Sequence, residues 1–150
     1  MISNLTYDDI KERIGELGEC VVAEKFPYAV RSTYKYDSEK DGMIGPHKYE
    51  VKTTTFIAKT QSLWMEESQW LKLDNVDYIF FIAVPHKKYD YFRKEKVCQL
   101  FMCIDNRYRI LNFKNKQVRS YELRHLTPIC DVDKIISNEI ISLTNQITKG

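Results

Sequence analysis

Three side chains between residues 41 and 52 could do chemistry together. Asp41 precedes Gly42, Glu50 follows nine positions later, and Lys52 stands two residues beyond Glu50. The run "KYEVKTTTF" (48–56) has the composition of a strand, and strand side chains alternate between faces. Glu50, Lys52 and Thr54 therefore share one face, with Glu50 and Lys52 about 7 Å apart along it, while Tyr49, Val51 and Thr53 share the other. Charges turned into a covered sheet are costly, so an ion pair on a solvated face is the plain alternative. If segments 41–45 and 48–54 pair as a hairpin, Asp41 and Glu50 converge near one end of the sheet. Two carboxylates and a backbone carbonyl such as that of Val51 are the hard oxygen donors that Mg²⁺ requires. A lysine beside such a site could orient or help deprotonate a water and stabilise charge developing on a phosphate.

The elements that must position these residues can be read around them. Thr6 with Asp9 has the form of a capping box, and Ile10, Ile14, Leu17 and Val21 recur at helical spacing, predicting a helix that stops near Phe26 before Pro27. "YAVRSTYKY" (28–36) reads as a strand. "SLWMEESQWLKL" (62–73) reads as a second helix with Ser62 as its cap. "DYIFFIAVP" (77–85) is continuously apolar, as a strand covered on both faces should be. Strands are expected at 98–105 and 107–113, and a helix from Val132 to Ile147 capped by Asp131 or Asp133. The predicted order is α-β-β-β-α-β-β-β-α in one domain: an α/β (α+β) chain with a central mixed sheet flanked by helices.

Asp41 followed by Glu50-Val51-Lys52 on a strand, after an N-terminal helix, resembles the PD-(D/E)xK nuclease superfamily, which includes restriction endonucleases, Holliday junction resolvases and some homing endonucleases. The resemblance covers Tyr7 to about Pro85 and implies a restriction-endonuclease-like αβββαβ core, followed by a variable β-rich basic extension and the terminal helix. Lys40, not proline, precedes Asp41, and that proline is often absent in the superfamily. "GELGECVVAEKF" (15–26) is similar to the family's GxxGE segment, which makes Glu19 the helical site acid and Glu16 the second choice. Gly15 and Gly18 both weaken a helix, and close approach to the sheet would explain them. By the same resemblance Asp41, Glu50, Val51 and Glu19 would hold the metal and Lys52 would orient or activate the water. Gln69 or Gln61 are possible additions. The implied cofactor is Mg²⁺, with Mn²⁺ as a substitute and no small-molecule cofactor. The implied activity is that of an endodeoxyribonuclease, with sequence specificity of the restriction or homing type expected. Alternatives are a Holliday-junction, branched-DNA or RNA nuclease, or a silent nucleic-acid-binding or assembly module.

Composition allows this reading without requiring it. The chain has 150 residues and a net charge of +2, but the bases are uneven. "HKKYDYFRKEK" (86–96) carries Lys87, Lys88, Arg93, Lys94 and Lys96, and Arg107 and Arg109 follow on an expected strand. Together they form the expected contact surface for duplex or branched DNA. One such site cuts one strand, so a homodimer is expected for a double-strand break. No apolar run reaches membrane length, the N-terminal segment mixes acids and bases, and the four cysteines lack metal-site spacing. A cytoplasmic protein without membrane contact is the expectation.

Overall fold

The computed structural model describes residues 5–32, 40–57, 59–85 and 97–147. It is a mixed α/β structure with one largely open, mixed sheet and helices on its faces. Helix α1 (Tyr7–Lys25) begins at the capping box: Asp9 N–H donates to Thr6 Oγ1 at 3.1 Å and Thr6 N–H to Asp9 Oδ2 at 3.2 Å. It ends at Phe26, which is extended ahead of Pro27. The stripe Ile10, Ile14, Leu17 and Val21 is buried, joined by Val22.

Strand β1 (Ala29–Arg31) pairs antiparallel with β2 (Gly42–Ile44), and β2 with the start of β3 (His47–Ile57). The expected strand 28–36 is thus three residues long where it is described; its last four positions lie outside the described residues. Strand β5 (Tyr78–Val84) runs parallel to β3 and is almost wholly buried, as its continuous apolar sequence requires. Beyond β5 come β6 (Gln99–Cys103) and β9 (Thr127–Asp131), both antiparallel. Helix α3 (Lys134–Ile147) is capped by Asp133, whose Oδ2 accepts from Ile135 N–H at 3.0 Å.

The expected second helix over 62–73 is corrected. Ser62–Glu66 is strand β4, paired with the last residues of β3 and with β8 (Lys116–Glu122). Neither β8 nor β9 is among the strands expected from the sequence. Leu63 and Met65 are buried two apart, a strand period, and Ser62 is a buried strand residue rather than a cap. Helix geometry starts only with a 3₁₀ turn at Glu67–Gln69 and continues in the short α2 (Trp70–Asp74). The order from α1 to β5 is therefore α-β-β-β-β-α-β. Strand β7 begins at Arg109 and ends at Phe113, so Arg107 precedes it.

The sheet separates two cores. Ile10, Ile14, Leu17, Val22, Tyr49, Phe80, Ile82, Ile140 and Leu143 join α1 and α3 to one face; Phe56, Leu63, Leu73, Ile79, Phe81 and Tyr121 lie on the other, with α2. Gly18 is the point of closest approach of α1. A Cβ there would lie 2.6 Å from Thr53 Oγ1 and 3.2 Å from Ile82 Cδ1. Gly15 is different: a Cβ would meet nothing within 4 Å, so close approach does not explain it. Cys98 and Cys103 are buried, Cys130 partly so and Cys20 exposed, all as free thiols. Among the described residues no helix is long and apolar enough to cross a membrane.

Candidate active site

The site lies where the sheet forks. One edge of β3 pairs with β5 along residues 49–55. The opposite edge pairs with β2 at 47–49 and with β4 at 56–57, and between them residues 50–55 have no paired strand among the described residues. Asp41 sits at the head of this gap. Its N–H donates to the Tyr49 carbonyl at 2.9 Å, and its Oδ2 accepts from the Val51 N–H at 2.7 Å. The side chain thus takes the next ladder position where the backbone of β2 no longer follows. Hydrogen-bonding groups of one strand residue point to one edge, so the Val51 carbonyl also faces the gap.

Gly42 follows for a reason other than an unusual turn. Its φ is not positive, whereas that of Gly45 is +59°. A Cβ at residue 42 would lie 2.3 Å from Tyr49 Oη and 2.4 Å from Tyr49 Cζ, so its backbone rests directly on that ring.

Glu50 and Lys52 share the opposite face from Tyr49, in register with Ile79 and Phe81 and on the α2 side. This is no solvated face. Glu50 is 1% exposed and the Lys52 side chain 16%. Lys52 Nζ lies 3.1 Å from Glu50 Oε2 and also donates to Gln69 Oε1. Glu50 Oε1 is buried and has no hydrogen-bond partner among the described residues. Burial, first, and the neighbouring Asp41 charge, second, push the Glu50 carboxyl up from 4.5 to about 7, against the pull of Lys52 and Lys72. Such a carboxylate needs a proton or a further cation.

Glu19 reaches the same region from α1. Its side chain is 28% exposed and lies 3.7 Å from Arg31 Nη2 on β1. Burial and then the Asp41 charge raise its carboxyl above the usual range, opposed by Arg31. Tyr49 Oη, buried and without a hydrogen-bond partner, is raised by burial and then by Glu19 and Asp41. Asp41 is therefore the hub that feels acids on both sides of the sheet. The three acids do not close into one ligand cluster: among the described residues no group of three or more His, Cys, Asp and Glu is arranged to hold a metal ion. The hard donors at the gap are instead Asp41, Glu50 and the Val51 carbonyl, and the unpartnered Glu50 Oε1 fits a Mg²⁺ ligand.

Of the other expected residues, Gln69 joins the site through Lys52. Glu16 does not; it lies 3.8 Å from Arg13 on a half-exposed helix face. Gln61 is in the β3–β4 turn at φ +49°, its carbonyl accepting from Leu123 N–H, at the far end of β3 from Glu50. Arg107 is exposed, and Arg109 is exposed 3.5 Å from Glu122. Lys87, Lys88, Arg93, Lys94 and Lys96 lie outside the described residues. Arg31 and Lys72 are absent from the residues expected from the sequence. Lys72 was findable, since it follows Gln69 by three, one helical turn.

Compared with models of known protein families and with curated proteins, the chain matches none.

Proposed function

We propose that this chain is a Mg²⁺-dependent endodeoxyribonuclease of the PD-(D/E)xK type. The observation that carries the reading is the sheet fork. There Asp41 is hydrogen-bonded to the Val51 amide, beside a buried Glu50 that is held by Lys52 and has one oxygen unpartnered. A purely structural ion pair gives no account of that orphaned oxygen, because a buried charge without partners is costly. The chain order from α1 to β5 also supports the reading, with β4 as an addition before α2.

Asp41, Glu50 and the Val51 carbonyl would hold Mg²⁺, or Mn²⁺ in its place, and Glu19 would add negative charge from α1. Held there, the ion would supply a Lewis acid to lower the pKa of a bound water and to offset charge on the phosphate. Gln69 and Glu50 together fix Lys52 Nζ, so that its one remaining hydrogen can orient the attacking water while its charge stabilises the phosphorane. In the net reaction a water oxygen–phosphorus bond forms, one phosphorus–oxygen ester bond breaks, and the proton lost by water ends on the leaving oxygen. Two copies are needed for a double-strand break.

The test is cleavage of supercoiled plasmid with Mg²⁺ by the wild type, Asp41→Ala and Lys52→Ala. Each variant should lose at least about a hundredfold in rate while still binding DNA. Branched DNA and RNA in parallel reactions sort the substrate class. No Mg²⁺-dependent cleavage of any of the three by the wild type would overturn the proposal and leave a binding module.

A further inference from the structure

Strand β7 and the first two residues of β8 form a solvent-exposed ribbon. All of β7 except Leu111 is exposed. Among the described residues strand β7 pairs with β8 alone, Phe113 opposite Lys116 and Asn112 opposite Gln117. The turn is Lys114-Asn115 with φ of +50° and +66°, the two-residue geometry that matches strand twist. From Arg107 to Gln117 the segment holds Arg107, Arg109, Lys114 and Lys116 and no acid.

Its two faces differ. Phe113 packs edge-on against Trp64, ring centres 5.1 Å apart, and this side borders a cleft that also contains Glu66 and Glu67. On the other face, Asn112 and Gln117 stand side by side as a cross-strand pair, both exposed. No packing role explains two exposed amides at the end of a basic ribbon.

The ribbon is also aimed. β8 is antiparallel to β4 with Val118 opposite Glu66, so residues 113–117 project past the Glu66 end of β4. From that end the chain turns into the 3₁₀ segment that brings Gln69 to Lys52. The base of the ribbon is locked to the same region. Arg119 of β8, 4% exposed, makes two bonds to Asp74 of α2 at 2.7 and 2.8 Å and lies over the rings of Trp70 and Tyr108. The ribbon's base is thus fixed to α2, the helix that follows Gln69.

We propose that the β7–β8 ribbon enters the major groove of duplex DNA, where Asn112 and Gln117 meet base edges and Arg107, Arg109, Lys114 and Lys116 neutralise flanking phosphates. The groove, about 12 Å wide, admits a two-stranded ribbon, and amide side chains pair bidentately with adenine. This inference rests on the nuclease reading for its choice of polymer, but it concerns binding and not cleavage.

Two double variants in the full-length Asp41→Ala chain test it, with circular dichroism to verify the fold. Duplex binding is measured by fluorescence anisotropy across salt concentrations, and base preference by sequencing fragments retained from a random library. Lys114→Glu/Lys116→Glu should weaken binding about tenfold or more and reduce the salt slope by about 2, close to 0.9 per lost phosphate contact. Asn112→Ala/Gln117→Ala should leave the salt slope unchanged and flatten the base preference. Unchanged affinity, slope and preference in both variants would overturn the proposal, as would absence of duplex binding in the parent. A shift from dimer to monomer with DNA binding intact would overturn it too, by making the ribbon a contact between copies. Wild-type protein that binds through the ribbon without cutting sinks the nuclease reading alone; wild type that cuts, with binding indifferent to the ribbon, sinks this proposal alone.

Discussion

Glu50 concentrates the energetics of the site in one carboxyl group. Its folded value of about 7 against 4.5 means that the native state holds a proton which the unfolded chain has released in between. Stability therefore falls as pH rises through that window, by about 3 kcal/mol at 1.36 kcal/mol for each tenfold change. Glu50→Gln removes the buried charge: it should match the wild type at pH 5 and unfold at a higher temperature at pH 8. Added Mg²⁺ should stabilise the wild type more at pH 8 than at pH 6 and leave Glu50→Gln unmoved. Thermal unfolding reads both arms. A Glu50→Gln chain less stable than wild type at pH 8 would show that the Lys52 ion pair outweighs the burial cost.

At the scale of elements, α1 seats its site acid through Gly18. Gly18→Ala adds a methyl group 2.6 Å from Thr53 Oγ1, and overpacking of this kind costs about 1–3 kcal/mol. Gly15→Ala enters open space and should stabilise by about 0.5–1 kcal/mol through helix propensity. Urea unfolding of the two should move the midpoint in opposite directions. Helix α1 was legible in the sequence because cap, periodicity and Pro27 all agree, and β5 because its apolar run is unbroken. The segment 62–73 was not. "SLWMEESQWLKL" is rich in helix formers, and the partner that makes Ser62–Glu66 a strand is β8, whose Ser120 bonds Ser62 across a sequence separation of 58. That distance also hid the placement of Gln69, which a helix from Ser62 would carry on its surface and which the late 3₁₀ start turns onto Lys52. That Glu50 and Lys52 share a face and that a short hairpin sets Asp41 against the edge of β3 was legible, because strand alternation and a hairpin are local facts. The burial of Glu50 is not, since it depends on α2 and the second core.

For the whole molecule, the Arg119–Asp74 contact bridges the outer strands and α2. Asp74→Ala would leave the Arg119 guanidinium, whose Nε already lacks a hydrogen-bond partner among the described residues, without its carboxylate; because Asp74 itself is half-exposed and water can take its place, the cost should be about 1–3 kcal/mol. Arg109→Ala, removing a surface pair with Glu122, should leave stability nearly unchanged. Chemical denaturation of the two distinguishes a structural bridge from a surface pair. The seating of α1 on α3 also governs when the molecule becomes whole. Ile10 and Ile14 share one core with Ile140 and Leu143, and Arg13 Nη2 lies 3.1 Å from Glu139 Oε2, 126 residues further on. A ribosome adding about 5–20 residues per second takes roughly 6–25 s to cover that interval. For that long the helix bearing Glu19 lacks its cover, and the surroundings of Asp41 and Glu50 are incomplete.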